Sequence, residues 1–314
     1  MTITRTRARV DKLQVGVSRR RNVEGCIADR VLTKVTVKQT TGLLGKYGKD
    51  NLRIEHDIVG GDTPYPRIRA TPKSSDRYVV VKHGLSGVVT EEDYANEEQP
   101  FDARADMTND LTDKIKLGRE YALSSVLTDT STITNNVTLS GTDQYDDYAN
   151  SDPLGDWAVA RKSVYDNGGK IVEMPGGFAI CPWQVYNVLK FHPDLLDTIK
   201  YVKNAKKGLD FEEMAGVMGV DRLLVPWCQY NSAKEGQTDV ITSVWGNNIV
   251  FGYAPERGSK KIETLGFDVK QRDETRVFVN PVGNPPNADE IMVDISYDDL
   301  ITEVGCAYLI KDAI

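Results

Sequence analysis

The sequence predicts an α+β fold in which helices flank a central mixed sheet and long segments extend away from that body. Three observations support this prediction. Residues 101–128 have the apolar spacing of one long helix, and residues 152–253 alternate between helical patterns and short apolar runs. From Lys260 onward β-type runs dominate, namely RVFVNPV, EIMVDISYDD and CAYLI.

Length and composition are those of a globular protein. The chain has 314 residues, of which 40% are hydrophobic. A chain of this size buries roughly three quarters of its unfolded surface, which permits one large domain or two modest ones. The sequence contains no apolar run approaching the roughly 20 residues of a membrane-spanning helix, and no apolar core follows the basic N-terminus. A cytosolic origin without a membrane partner is therefore expected.

Charge is distributed unevenly along the chain. The net charge is −7, yet residues 1–22 carry seven basic residues and one acid, a balance of +6, which leaves −13 for the remainder. Three of these bases are consecutive, namely Arg19, Arg20 and Arg21. A basic arm ahead of an acidic body suits nucleic acid, an acidic partner or a neighbouring copy of the same protein, and a solvated terminus is the alternative.

Extended structure is predicted before the long helix. Residues 31–37 read VLTKVTV, which is β-branched and alternating, so a short strand is expected there. Two further runs, Tyr65–Ala70 and Arg77–Lys82, flank a segment with turn chemistry at residues 71–76. This pattern predicts a long two-stranded arm. Because an isolated hairpin is marginal in water, the arm is expected to lie on another surface.

The long helix is predicted over Phe101–Thr128. Its apolar stripe comprises Met107, Leu111, Ile115, Gly118, Ala122 and Val126. Asp102, Asp106 and Asp110 crowd its first half, where the helix dipole favours anions. At about 1.5 Å per residue, the helix is expected to span roughly 40 Å.

Short helices and strands follow. Asp152 and Pro153 supply a helix start, and Asn167-Gly168-Gly169 supply its end. A capping box at Asp210 and Glu213 predicts a later helix that buries Phe211, Met214, Ala215 and Met218, and Pro182 opens another helix. Strands are predicted at Ile171–Met174, Phe178–Cys181, Leu223–Trp227 and Ile249–Tyr253.

No catalytic pattern is found. The sequence has no phosphate-binding, dinucleotide-binding or nucleophile-elbow motif, and its three histidines (His56, His83, His192) share no spacing typical of a metal site or triad. Three acidic pairs, at residues 91–92, 146–147 and 298–299, are interpreted as solvated. The four scattered cysteines are interpreted as structural thiols rather than zinc ligands or disulfides. No enzyme activity, metal or cofactor is predicted.

The ordered set of segments resembles the major capsid protein of tailed bacteriophages, which has the Hong Kong phage shell fold. The resemblance covers almost the whole chain and is carried by four segments in order: LGREYALSSVLTD, FAICPWQVYNVLKFHPDLLDTIKY, FEEMAGVMGVDRLLVPWCQYN and VWGNNIVFGY. It implies an N-terminal arm at residues 1–48 and an extended hairpin, the E-loop, at 49–97. A peripheral domain with the spine helix is implied at 98–150 and 264–300, and an axial domain at 151–263 and 301–314.

This resemblance implies a structural protein that self-assembles as hexamers and pentamers into an icosahedral head. The head would enclose double-stranded DNA through nonspecific contacts, after assembly in the host cytoplasm. A portal protein, a separate scaffolding protein and a decoration protein are further implied partners. A separate scaffold is expected because the sequence reaches the arm almost at once. Covalent linkage through Lys73 or Lys82 and Asn280, Asn284 or Asn287 is conceivable, although most of the family lacks it.

Contacts between subunits are predicted from charge. The E-loop arginines Arg53, Arg67 and Arg69 are expected to meet Asp102, Asp106 and Asp110 on the spine helix of a neighbour, because a guanidinium group pairs well with carboxylates. The basic arm with Arg19, Arg20 and Arg21 is expected to lie along neighbouring subunits. The alternatives are an encapsulin-type compartment, which would dock cargo peptides on its inner wall, and a soluble hydrolase, which would need a deep pocket.

Overall fold

The computed structural model describes residues 9–10, 25–46, 52, 54, 57–59, 65, 67, 74–92, 102–199, 208–234, 236–258, 262–271, 275–283 and 288–314. Within these ranges the helices are α1 (Ala28–Val31), α2 (Ala103–Leu127), α3 (Pro153–Gly168), α4 (Trp183–Leu189), α5 (Pro193–Ile199) and α6 (Phe211–Met218). No described helix is both long and apolar enough to cross a membrane.

Fifteen strands are present in the described part of the chain. They are β1 (Arg9–Val10), β2 (Thr33–Thr36), β3 (Thr41–Lys46), β4 (Ser74–Val79), β5 (Val81–Val89), β6 (Asn136–Thr138), β7 (Gly177–Ile180), β8 (Arg222–Leu224), β9 (Gln229–Asn231), β10 (Ile241–Ser243), β11 (Ile249–Tyr253), β12 (Gly266–Lys270), β13 (Arg276–Val282), β14 (Ala288–Ile301) and β15 (Ala307–Lys311). Helices and strands of these proportions form the α+β fold that the sequence predicts.

A six-stranded sheet is organised around β14. Its order is β1-β13-β14-β12-β2, and β5 also pairs with β14. The first half of β14 is antiparallel to β13, and its last residues are antiparallel to β12. Nine residues of β5, from Val81 to Val89, pair in register with Tyr297 to Asp289. β2 joins the edge in parallel with β12, so the segment ahead of the E-loop contributes a strand to this sheet.

The long helix α2 lies against this sheet. The carboxylate of Asp102 accepts the backbone N–H groups of Arg104 and Ala105, each at 3.0 Å, which provides the N-cap. Met107 packs where β5 has Gly87, so the side chain lies directly against the strand backbone. At about 1.5 Å per residue, the 25-residue helix is roughly 38 Å long.

The predicted apolar stripe of α2 is correct only in its first half. Leu111 is buried, and Met107 and Ile115 pack with it against β13 and β14. Ala122 and Val126, however, are exposed. The buried positions of the second half are Arg119, Glu120, Leu123, Ser124 and Leu127. The buried face therefore continues from Ile115 through Arg119, Leu123 and Leu127 in steps of four, and Glu120 and Ser124 lie beside this row, so three of the five buried positions are polar.

A five-stranded sheet forms the second centre of the fold, in the order β6-β15-β11-β7-β8. β7 is buried at every residue, as is typical of a central strand. Because side chains alternate across a strand, Ala179 and Phe251 face one core, whereas Phe178 and Val250 face the other. The first core is covered by α3, α4 and α6, and the second by α1 and the end of α2.

Two helix starts in this region agree with the prediction. Asp152 accepts the backbone N–H of Gly155 at 2.9 Å with Pro153 in the first turn, and α3 ends at Gly169, whose φ of +63° suits glycine. α6 begins with the capping box of Asp210 and Glu213. The predicted burial of Phe211 is wrong. Its ring is half-exposed and stacks on Tyr186, with centroids 4.7 Å apart.

Several predicted strands require correction. Residues 171–174 form a turn rather than a strand, because the chain folds back there ahead of Gly177. The strand predicted at Leu223–Trp227 is the shorter β8. Arg77–Lys82 comprises the end of β4 and the start of β5, which pair with β3 and β14 in the described part of the chain. Most of Tyr65–Ala70 lies outside the described residues, so its pairing stays a prediction.

The base of the E-loop is therefore anchored within its own subunit. β4 pairs with β3 over six positions, and the backbone N–H of Val79 donates to Asp298 at 2.7 Å. Tyr78 is buried with Phe267 and Val269 of the six-stranded sheet. Over residues 74–79 and 81–89, the surface on which this segment lies therefore belongs to the same chain.

Candidate assembly surface

An acidic face runs along the first half of α2. Asp102, Asp106 and Asp110 recur every fourth residue, so they share one side of the helix, and all three are exposed. Asp102 also caps the helix through its carboxylate. The opposite side of the helix packs on the sheet through Leu111 and its neighbours. The three carboxylates are therefore directed away from the subunit that carries them.

The arginines predicted to meet this face are only partly described. Arg67 is exposed. Arg53 and Arg69 lie outside the described residues, as do Arg19, Arg20 and Arg21 of the N-terminal arm. The structure of one chain thus presents the acidic surface and one of its proposed partners, and the pairing between subunits stays a prediction.

Several apolar side chains of the predicted E-loop are exposed in the single chain. Leu52, Ile54, Ile58 and Tyr65 are each between 81% and 102% exposed. Leu43, in β3 ahead of the loop, is 68% exposed. Isolated exposed apolar residues are ordinary, but several within a short stretch of sequence are typical of a surface that another protein covers. Only arginines were predicted to make contacts here, although these apolar positions in a polar segment are visible in the sequence.

Beneath the spine helix, a buried ion network joins four elements. The Arg119 guanidinium contacts Asp29 of α1, Asp268 of β12 at 2.9 Å and Asp299 of β14 at 2.6 Å. It also lies over the Tyr297 ring, 4.5 Å from its centroid. Lys270 adds contacts to Asp268 and Asp29 at 3.1 and 3.3 Å. These groups fix α2 against the sheet at the point where its apolar stripe ends.

Two carboxylates of this network, Asp29 and Asp299, have shifted pKa values. Burial tends to raise the pKa of Asp29, but Arg119 and Lys270 outweigh burial and lower it. Burial raises the pKa of Asp299, although Arg119 opposes the shift through hydrogen bonds. The interpretation of residues 298–299 as a solvated pair is therefore wrong. Asp299 binds Arg119, and Asp298 accepts from Val79.

Glu120 anchors the segment that follows the N-terminal arm. One oxygen of its fully buried carboxylate accepts the backbone N–H groups of Ile27 and Ala28 at 2.9 and 2.6 Å. The other accepts the indole N–H of Trp245 at 2.6 Å. Burial raises the pKa of Glu120, and the three donors oppose that shift. Sequence reasoning missed this residue, because its partners lie about 90 and 125 positions away.

The other acidic residues, histidines and lysines considered in the sequence analysis are either exposed to solvent, in contact with neighbouring side chains, or outside the described residues. Glu91 and Glu92 are exposed, as is Asp146. His83 stacks on Tyr297 with centroids 4.3 Å apart, and buried His192 contacts the Ser151 hydroxyl at 3.1 Å. Across the described ranges, no three His, Cys, Asp or Glu side chains are grouped closely enough to hold a metal ion. His56 and Lys73 lie outside those ranges, and Lys82 pairs with Asp294 at 2.7 Å.

Two phage proteins are similar to this chain in sequence. The major capsid protein of Burkholderia phage BcepMu is 26% identical over 239 residues, which cover 75% of this chain and 73% of that protein. The major capsid protein of Pseudomonas phage JBD67 is 24% identical over 295 residues, which cover 92% of each. No protein-family model matches the sequence.

Solved structures show the fold. A phage-related protein from Bordetella bronchiseptica RB50 superposes with a TM-score of 0.74 over 98% of both chains at 19% identity. The capsid protein of cyanophage P-SCSP1u has a TM-score of 0.62 over 91% of this chain and 88% of its own, at 10% identity. This chain is thus similar in sequence to phage major capsid proteins and has the phage capsid fold that its sequence predicts.

Proposed function

We propose that this protein is the structural subunit of a tailed-phage head, a major capsid protein that self-assembles into an icosahedral shell around double-stranded DNA. The observation that carries the proposal is a set of apolar side chains, Leu52, Ile54, Ile58 and Tyr65, that are almost fully exposed in a chain with the phage capsid fold. A second copy of the chain is the natural cover for this surface, because shells are built from repeated contacts between identical subunits.

The apolar contact supplies most of the interface energy in this proposal. Burying a Leu or Ile side chain contributes about 1.5–3 kcal/mol relative to leaving it exposed. Ordering the loop on its neighbour opposes part of that gain. Each subunit both extends a loop and receives one, so the contact is repeated around every ring of the shell.

Charge then selects the position of the loop. The exposed acidic face of α2 offers carboxylates at Asp102, Asp106 and Asp110, and Arg67 is exposed. Arg53 and Arg69, which lie outside the described residues, are proposed to act together with Arg67. Complementary charge contributes more to specificity and association rate than to affinity. The basic arm, with Arg19, Arg20 and Arg21, is proposed to lie along adjacent subunits and to make only secondary, nonspecific contacts with DNA.

The finer organisation belongs to the same proposal. The subunits would form hexamers and pentamers with an axial domain at residues 151–263 and 301–314 near the ring axes. Assembly would occur in the host cytoplasm with scaffolding and portal proteins, and a decoration protein is a further candidate partner. The fold and the relatives favour a structural role rather than catalysis.

Electron microscopy of the purified protein tests the proposal, together with a double variant, Leu52→Ser and Ile54→Ser. The wild type is expected to form closed shells, whereas the variant should remain as small oligomers with unchanged circular dichroism. The control is Val159→Ser with Tyr165→Ser, which removes exposed apolar groups from α3. Normal shells from the E-loop variant would contradict the proposed contact. Particles that enclose protein cargo rather than nucleic acid would favour an encapsulin-type compartment.

A further inference from the structure

Two of the four cysteines lie side by side although 202 positions separate them in the sequence. The Sγ atoms of Cys26 and Cys228 are 2.7 Å apart, and both residues are free thiols. Cys228 is buried, whereas Cys26 is only partly buried and lies at the edge of the body. The pair is thus accessible from one side and enclosed on the other.

Backbone contacts hold the two sulfur atoms together. The N–H of Trp227 donates to the carbonyl of Gly25 at 3.3 Å, directly beside the pair. Gly25 has a φ of +92° and lies against the indole ring, where a Cβ atom would clash, so only glycine fits. The two amides that follow Cys26 donate to Glu120. Neither cysteine therefore depends on the other for its position.

The surroundings favour a thiolate at one of the two positions. The contact between the two thiols lowers the pKa of Cys228 and raises that of Cys26. Burial and the Glu120 carboxylate raise the pKa of Cys26 further. The pair consequently ionises first at Cys228, and a thiolate beside a second thiol is the arrangement from which disulfide exchange proceeds.

We propose that Cys26 and Cys228 are an oxidation site at which a disulfide forms within one subunit. With glutathione disulfide as the oxidant, one cysteine thiolate attacks its S–S bond and releases one glutathione thiolate. The second cysteine then displaces the other glutathione and closes the Cys26–Cys228 bond. Two protons and two electrons leave the protein, and two glutathione thiols are formed.

Closing this bond would tie the segment after the N-terminal arm to the chain beyond β8. The loop so closed contains about 200 residues, and in the chain-entropy description a long loop gives a large stabilising effect. A reducing cytosol would keep the pair as thiols, and an oxidising medium would close it. Because the bond is reversible, the stability of the subunit would depend on whether its surroundings are reducing or oxidising.

The experiment uses the full chain incubated with glutathione disulfide, then denatured in iodoacetamide and digested with trypsin. The expected product is a cross-linked pair of peptides, residues 22–30 and 223–234, lighter by two hydrogen atoms than their sum. Two of the four cysteines should resist alkylation. The oxidised protein should also unfold at a higher temperature than the reduced protein.

Cys228→Ser and Cys181→Ser serve as matched variants, since each removes one buried thiol. Cys181→Ser should keep the cross-link and its thermal shift, and Cys228→Ser should lose both. Alkylation of all four cysteines in the wild type, or a lasting glutathione adduct on Cys26 without closure, would overturn the proposal. These wild-type readouts do not require either variant to fold.

Discussion

Glu120 and Arg119 are adjacent in the sequence, yet they fix two different parts of the molecule to the spine helix. Arg119 binds the carboxylates of two sheet strands, and Glu120 binds the chain before β2 and the indole of Trp245. Both side chains are almost fully buried. At such positions the loss of one partner is costly, because the groups left behind have no water to bind.

Replacement of Glu120 by Ala is expected to lower the free energy of unfolding by about 3 kcal/mol, because three buried N–H donors lose their acceptor. Glu120→Gln should recover part of the loss, since its carbonyl can still accept the Ile27 and Ala28 amides. Urea unfolding measures the difference. The exposed Glu92→Ala is the control and should stay within about 0.5 kcal/mol of the wild type. An equally small effect at Glu120 would show that these hydrogen bonds contribute little.

These residues also mark the limit of prediction from sequence. Residues 298–299 form an acidic pair in a polar run, and nothing near them indicates that Arg119, 180 positions away, binds Asp299. The polarity of a local segment predicts its average solvent exposure. It does not predict which residue, distant in the sequence, forms an ion pair with a buried charge. Capping residues such as Asp152, Asp210 and Glu213 were predicted correctly because both partners lie within a few positions.

At the scale of elements, the spine helix was predictable in extent but not in its buried face. The sequence prediction of residues 101–128 is within two residues of the observed ends. The predicted stripe is displaced by one position after Ile115, because Gly118 was preferred to the charged Arg119, and Ala122 and Val126 followed from Gly118 in place of the buried Leu123 and Leu127. Similarly, nothing in the residues of Arg77–Lys82 indicated that β3 and β14 pair with this segment. Pairing at long range is not encoded in strand propensity.

The acidic face of α2 leads to a prediction about assembly. Asp106→Lys with Asp110→Lys should leave subunit stability nearly unchanged, because both side chains are exposed, and should block or slow shell formation through like-charge repulsion. Light scattering and electron microscopy would follow assembly.

Two further variants of this chain show whether the effect is specific to the proposed pairing. Combining the reversal with Arg67→Glu and Arg69→Glu should restore assembly in part, because the charges become complementary again. Asp166→Lys with Glu212→Lys applies the same charge change to other exposed helix positions and should assemble normally. Equal impairment by this control, or no rescue by the combined variant, would argue against the pairing.

For the whole molecule, the described residues form a six-stranded sheet, a five-stranded sheet and two two-stranded sheets, and β1 of the N-terminal arm joins the six-stranded sheet. The first contacts described after the arm begin at Gly25 and include those with Trp227 and Glu120. Deletion of residues 2–21 removes β1, a two-residue edge strand on β13, but leaves the contacts of Gly25 and Glu120 in place, so the subunit should still fold. The capsid assignment as a whole was accessible from sequence because it depended on the order of segments rather than on any one contact.

Deletion of residues 2–21 is therefore expected to impair shell assembly even when no DNA is present, since the arm's +6 charge is proposed to act on neighbouring subunits. Assembly of the purified truncated protein, compared with full-length protein at the same salt concentration, measures this. If empty shells form normally and only DNA-filled heads are defective, the arm serves DNA instead. In that case its contribution should fall steeply with salt.

The pairing of β5 with β14 has a mechanical consequence. All nine residues of β5 pair in register with β14, and β5 follows β4 after a single residue. A force applied to the chain along β5 would act parallel to both strands and would load their interstrand hydrogen bonds together rather than one after another. Such a joint resists sliding far better than peeling. If the loop binds a neighbouring subunit, internal pressure in a shell would place this contact under tension. The sheet would then transmit the tension from subunit to subunit without separating β5 from β14.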